Sequence, residues 1–468
     1  MLVTSCVDSL DDYNIDQKRP STAPAETFLT ASVKLLSDVV TTPNVNTNNF
    51  RLYVQQWATT TYLQEPRYDL TSRIIPQNIW QTLYKDVIAD LRESKRLLEE
   101  DELIAAEDRT ARLAQLEVVE VYSWFVLVTT FGDVPYSQAM DFQNPVPVYD
   151  DDVTIYADIL DRLDNAIGSL TSGGNAFDNA DVLYDGDLDQ WMKFANSLKL
   201  KMGILLADVD NAKAKQIVEE AATNVFTSNA DNARFPYLNS PPNNNPLSAN
   251  LNPAFSSRQD YVVASTITDK MNALNDPRRP FYFTTINGEY KGGNYGFANA
   301  YGDFSHTSDK TIAADFEALL LDYSEVEFLL AEAVERGFTV GGTAEEHYNK
   351  AIDASIVYWG GTTADATTYR NQASVKYTSA AGTYKEKIGL QKWIALYNRG
   401  IDAWTEWRRL DYPVLLPPSG GNVPVGLSIP VRIIYPINEQ TLNGINRQAA
   451  ADGMGGDLAE TKLFWDVK

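Results

Sequence analysis

Tyr323-Ser324-Glu325-Val326-Glu327-Phe328-Leu329-Leu330-Ala331-Glu332-Ala333, with Gly337, Gly341-Gly342 and Thr343-Ala344-Glu345-Glu346 behind it, is the stretch that decides the fold. Tyr323, Val326, Leu330 and Ala333 return at intervals of three and four, which places them on one face of an α-helix. The glycines stop that helix. Thr343 and Glu346 then stand three apart, the spacing of a capping box, in which each side chain satisfies the other residue's backbone N–H. Behind the box, Tyr348, Ala351, Ile352, Ser355, Ile356 and Trp359 share one side of a second helix. The unit is a helical hairpin.

The same grammar recurs earlier in the chain. From Gln77 to Glu102, Ile79, Leu83, Val87, Leu91 and Leu98 keep a mainly helical spacing, and the more apolar Ala111 to Phe131 follows as a buried helix. Asp151 opens a helix through Val153, Tyr156, Ile159, Leu160, Leu163 and Ile167, stopped at Thr171-Ser172-Gly173-Gly174-Asn175. Asp187 is a plausible N-cap for the face made by Trp191, Phe194, Ala195, Leu198, Met202 and Leu205, with a partner at Ala212 to Phe226. Pairs of this length with small residues at the crossing resemble tetratricopeptide-type units, although the spacing is uneven; the alternative is an irregular α-bundle. Trp80 sits on an apolar stripe and reads as packing, and Trp191, Trp359 and Trp404 read as core.

Between the helical blocks run segments of different character. Residues 227–314 hold an Asn- and Pro-rich part and then Tyr282, Tyr290, Tyr295, Phe297, Tyr301 and Phe304 among glycines and polar residues. That is too long for a connector, so it is a functional excursion or a subdomain. Further excursions cover Gly360 to Thr383 and Tyr412 to the C-terminus, and short β pieces are expected near Arg278 to Thr285 and Ile429 to Tyr435.

Composition narrows the function. The 468 residues carry a formal charge of −24, from 39 basic and 63 acidic side chains, which argues against nucleic acid, whose phosphates need Lys and Arg. It argues equally against a polybasic hold on a membrane. No run approaches the ~18 apolar residues of a membrane span. The single cysteine, Cys6, follows Leu2-Val3-Thr4-Ser5, an aliphatic residue and small residues ahead of Cys, the pattern of a bacterial lipoprotein processing site. On this reading Cys6 is the first residue of the mature protein and carries lipid, residues 1–20 are a signal-peptide remnant and flexible tether, and 21–468 are one domain.

Catalytic chemistry finds little to build on. Histidine occurs twice, as His306 in a loop and His347 inside the capped helix, too few for a Ser-His-Asp arrangement or a multi-His metal site. His347 reads as a solvated helix residue. Asp185-Gly186-Asp187-Leu188-Asp189 has Gln190 and Asn196 where a calcium loop needs Gly and Glu, so it reads as a turn and a helix cap. Gly292-Gly293-Asn294-Tyr295-Gly296 lacks the Lys-Ser/Thr of a phosphate cradle. No metal or cofactor is expected, and paired carboxylates leave a surface glycoside hydrolase as the less favoured rival. Arg278, Arg279, Arg408 and Arg409 read as structural ion pairs.

The chain is rich in aromatic side chains, with 25 tyrosines and 11% Trp, Tyr and Phe. Sugar rings have apolar faces and polar edges, so a binder wants flat aromatics on loops held by rigid elements, with amides or charged groups at hand. Two segments qualify: Gln55-Gln56-Trp57 to Tyr62 with Tyr68-Asp69, and Tyr290, Tyr295, Phe297 and Tyr301 with Asn287, Asn294 and Asn299 between them. The candidate ligand contacts are Trp57, Tyr68, Tyr290, Tyr295 and Tyr301.

Six blocks in register resemble the SusD/RagB family of outer-membrane nutrient-binding lipoproteins, in its SusD-like branch. They are Asn78 to Tyr84 with Phe131-Gly132-Asp133-Val134-Pro135-Tyr136; Tyr184 to Leu198; Ser324 to Ala333; Gln391 to Leu396 with Glu406-Trp407-Arg408-Arg409; Arg432 to Pro436; and Phe464-Trp465-Asp466. The resemblance implies a mostly α fold: a tetratricopeptide-like helical-pair scaffold over about 76–226 and 315–409, with a loop-rich ligand-binding subdomain and a few short strands. It implies a non-catalytic outer-membrane lipoprotein facing the cell exterior, delivering an oligosaccharide, or in some members a peptide or glycopeptide, to a SusC-like TonB-dependent transporter. The acidic Asp8, Asp11 and Asp12 after Cys6 fit the surface-export signal of such lipoproteins.

Overall fold

The helices expected from periodicity form, and most are capped as the sequence specifies. The computed structural model describes residues 23–141 and 143–467; Cys6 and the tether lie outside the described residues. The chain opens with α1 (Ala25–Thr41), α2 (Phe50–Tyr53) and β1 (Trp57–Thr59). The helix expected over 77–102 is α3 (Ile75–Gln81), a π-helical turn Thr82–Ile88 and α4 (Ala89–Glu100) in one continuous run. α5 (Ala106–Phe131) follows; it is long and apolar enough to cross a membrane, but 89% of its most apolar window is buried inside the protein. Its place is in the core.

α6 (Asp152–Leu170) starts at Asp151, whose carboxylate accepts from the Thr154 amide, and α7 (Leu188–Leu205) starts at Asp187, which accepts from the Asp189 and Gln190 amides. The acidic run before α7 is thus a cap. α8 (Asn211–Ala221), β2 (Ala233–Phe235), α9 (Pro246–Leu251), β3 (Tyr261–Val263), α10 (Ser265–Ala273), α11 (Arg279–Tyr282) and β4 (Ala318–Leu321) lead to the diagnostic hairpin, α12 (Tyr323–Glu335) and α13 (Ala344–Trp359). Both halves of the Thr343–Glu346 capping box are made. Beyond lie α14 (Thr363–Arg370), α15 (Tyr384–Ala395), α16 (Gly400–Leu410), α17 (Glu439–Leu442) and α18 (Gly444–Gly453), so all three excursions hold helices of their own.

α7 packs on α8 and α12 on α13, as the paired pattern requires; α5, expected to pair with the helix before it, packs on α4 and also on α6, and α1, absent from the periodicity reading, packs on α4. One apolar core runs through both helical blocks. The tryptophans assigned to it are there: Trp80, Trp191, Trp359 and Trp404 are all buried. A chain of buried charges stitches α7, α12, α15 and α16 together. Lys201 pairs with Glu325 at 3.0 Å, Arg399 with Glu325 at 2.7 Å and with Asp402 at 2.9 Å, and Lys392 with Glu406 at 2.9 Å.

Several expectations are corrected. Arg279–Tyr282 is a helical turn, favoured by Pro280 in its first turn, and Phe283 alone forms a bridge, to Thr307. Residues 429–435 hold no strand. The strands pair elsewhere: β1 with β3 in register Trp57↔Val263, Ala58↔Val262, Thr59↔Tyr261, and β2 with β4, both antiparallel. His347 is buried, with Nδ1 2.6 Å from Glu327 and Nε2 2.9 Å from the Gly341 carbonyl, because the turn between α12 and α13 folds over it. Arg278 and Arg409 are ion-paired, to Asp276 and to Glu332. Arg408 is held differently: its guanidinium lies between the rings of Trp404 and Trp465, 3.4 and 4.5 Å from their centroids, and donates to the Thr129 and Val431 carbonyls. Arg279 bonds the Asp276 carbonyl and the Asn272 side chain.

Candidate functional site

The β1–β3 ladder brings the two aromatic segments together. The Thr60 amide donates to the Asp260 carbonyl, and the Gly293 and Val263 backbones exchange a bond of 2.8 Å, so the loop 289–307 lies alongside the ladder. Gly292 allows this approach: a Cβ there would overlap the backbone where α10 begins, at Ala264 and Ser265. Asn299 pins the loop. Its Nδ2 donates to the carbonyls of Thr59, Asn294 and Phe297 and its Oδ1 accepts from the Asn294 amide. Of the three asparagines in the aromatic segment, this one is engaged in holding the chain, and Asn287 and Asn294 are exposed.

The five candidate aromatics divide by burial. Trp57 is 2% exposed, packed on Tyr261, donating from its indole to the Tyr397 hydroxyl and covered by the Arg51 guanidinium. Tyr295 is 8% exposed and lies against Tyr68, which is half-buried; burial pushes the Tyr68 hydroxyl up to about 12. Neither Trp57 nor Tyr295 has a ring face open to a ligand, because β1 and its loop close over their own aromatics. Tyr290 is half-buried beneath the Arg279 guanidinium. Tyr301 is half-buried and stacks flat on His306, ring centroids 3.7 Å apart, above a small apolar cluster of Ala58, Val262 and Ala264.

The most open ring of this face is one that the sequence reading passes through without singling out. Tyr62 is 52% exposed. The Arg73 guanidinium lies 5.2 Å from its centroid, and Arg73 is itself held by an Nε hydrogen bond to the buried Glu65 carboxylate. The terminal nitrogens of Arg73 have no protein hydrogen-bond partner among the described residues. A braced aromatic ring beside free N–H donors is what stacking on an apolar sugar face with hydroxyls at its rim requires. Its sequence signal is weak: a tyrosine just past a strand, with an arginine eleven residues on.

A depression of about 590 Å³ lies elsewhere, lined by Tyr84, Lys85, Ala89, Arg92, Glu93, Arg96 and Met140 on the helical scaffold. Its arginines are committed to Glu93, Glu100 and Glu120, while the Lys85 ammonium at its edge is exposed.

A family model described as starch-binding, associating with the outer membrane, matches residues 17–436. The chain belongs to the SusD-like family. The SusD-like fold extends over its length: a chitin-binding protein of known structure superposes with a TM-score of 0.81 at 26% identity, over 95% of this chain and 100% of its own. A SusD homologue from Bacteroides thetaiotaomicron gives 0.77 at 26% identity, over 94% and 99%. A chitin-binding SusD homologue from Flavobacterium johnsoniae, 24% identical over 95% and 99%, shares the fold with a TM-score of 0.81. A search of curated proteins finds no significant match.

Proposed function

We propose that this SusD-like protein is a non-catalytic, lipid-anchored surface binder that captures an oligosaccharide on its loop face and passes it to a TonB-dependent outer-membrane transporter. The observation that carries this reading is the exposed Tyr62 ring braced by Arg73 on a face whose other aromatics are packed. The family's starch-binding description and the chitin-binding relative at 26% identity support a glycan over other ligands. Both histidines are engaged, His306 in the Tyr301 stack and His347 with Glu327, which leaves no histidine base beside a nucleophile. Cys6 carries the lipid anchor in this reading.

Isothermal titration with chitin and starch oligosaccharides, repeated on Tyr62→Ala, tests it. Heat with a glycan that is lost in the variant supports the reading. Heat only with peptides moves the ligand to the peptide class. Product release from a glycan, abolished by one carboxylate substitution, replaces it with a hydrolase.

A further inference from the structure

Residues 413–426 cross the loop face without secondary structure and leave three apolar side chains in water: Val414, Leu416 and Val425 are 64, 73 and 99% exposed. The segment is anchored by the buried Leu415, Pro418 and Val423, and its exposed stretches lie between and beyond these points. Its backbone is made to bend. Gly420 and Gly426 have φ of +85° and +77°, and open space lies where their Cβ atoms would be.

Few polar contacts hold those exposed stretches. Near the start of the strap, the Gln55 side chain donates to the Leu416 carbonyl at 2.7 Å. Beyond that, Pro418 rests on Gly296, Gly421 meets Phe297, and Arg67 reaches across. Arg67 Nη1 and Nη2 donate to the Asn422 carbonyl and Oδ1 at 3.3 and 3.1 Å, while its Nε donates to the Gly296 carbonyl at 3.0 Å. No carboxylate of the described residues lies within ion-pair distance of Arg67. One guanidinium therefore ties the Tyr62–Arg73 segment, the 289–307 loop and the strap through neutral acceptors. Such exposed bonds are individually weak and open to exchange with ligand hydroxyls.

We infer that 413–426 is a strap that closes over a glycan bound at Tyr62, and that Arg67 is the positioning residue that latches it through Asn422. The inference rests on the glycan reading for its ligand, but the latch is testable without one. A nitroxide at Ser419→Cys, in a Cys6→Ser background, reports strap motion by electron paramagnetic resonance, and thermolysin cleavage within 413–426 reports its release. Arg67→Ala and Asn422→Ala should each mobilise the label and speed cleavage about tenfold. Asn422→Asp, which offers Arg67 a charged acceptor, should do the opposite. A structural role alone would not give opposite signs at one position.

Chitohexaose and maltohexaose are the ligand probes. Immobilisation of the label by whichever binds, with dissociation about tenfold faster in Asn422→Ala, supports closure. Unchanged label mobility in all three latch variants overturns the latch. Tight glycan binding with no change at the label overturns closure. Absence of binding by either sugar counts against the glycan reading, and the latch then stands or falls on the ligand-free spectra.

Discussion

Arg409 on α16 and Glu332 on α12 face each other as a two-pronged ion pair, Nη1 to Oε1 at 2.5 Å and Nη2 to Oε2 at 2.6 Å, with both side chains 1% exposed. Arg409 also reaches Glu406 at 2.6 Å, and the neighbouring charges hold the Glu332 carboxyl below its ordinary range despite its burial. Removing one partner strands the other in the core. Glu332→Ala should cost about 3–5 kcal/mol in denaturant unfolding, while replacing both residues by apolar ones of similar volume should restore most of it. A cost below ~1 kcal/mol for the single variant would show that this pair does not hold α12 to α16.

Tyr62 and Tyr295 should separate binding from folding. Tyr62→Ala should weaken glycan binding about tenfold or more, about 1.4 kcal/mol, and leave the unfolding midpoint within ~1 °C. Tyr295→Ala empties a core position and should cost about 3–5 kcal/mol of stability. Titration calorimetry beside differential scanning calorimetry reads both, and a reversed pattern would move the ligand face inward to the packed aromatics.

Gly292→Ala should push the 289–307 loop off the start of α10, because its Cβ would meet the Ser265 and Ala264 backbone, which cannot rotate away, as well as the Thr268 hydroxyl. The expected cost is about 1–3 kcal/mol, with weaker glycan binding as the loop shifts. Unchanged stability and affinity would show that the loop can slide.

Asp133, Asp151 and Asp152 bring three carboxylates to the start of α6, their ligand-capable atoms all within 4.8 Å of one another. Burial lifts Asp133 to about 6 and Asp152 to about 7, with the charges of Asp133 and Asp151 adding to the rise in Asp152. A carboxyl raised on folding makes the native state bind more protons than the unfolded chain between its ordinary range and its native value. Stability from this cluster is therefore highest in acid, falls as pH climbs from about 4 to about 7, and is level above that. Asp152→Asn removes the loss and should gain on the order of 2 kcal/mol relative to the parent between pH 5 and pH 8. Parallel stability curves for the two proteins would place the titration elsewhere.

How far the sequence carries the reading differs between scaffold and site. The α12–α13 hairpin was legible because helical periodicity, a glycine break and a capping box are all local signals, and α6 and α7 announced themselves through Asp151 and Asp187 in the same way. α1 was not, since Pro24 at its N-cap makes no side-chain cap bond. His347 looked solvated because the turn that covers it is not on its own helix.

The aromatic segments were legible as ring-rich loops, yet not which of their rings would stay open. Residue type fixes that a tyrosine can stack; exposure depends on what the rest of the chain lays over it. Trp57 and Tyr295 are covered by Tyr261, Arg51 and Tyr68, whereas Tyr62 stands free because Arg73, anchored to Glu65, props its ring. Family and helical scaffold were thus written in short-range pattern. The arrangement of the loop face was decided only when Gly296, Arg67 and Asn422, more than 350 residues apart at the extremes, came within hydrogen-bonding distance. Burial and long-range hydrogen bonds are properties of the folded surface and leave no local trace in the chain.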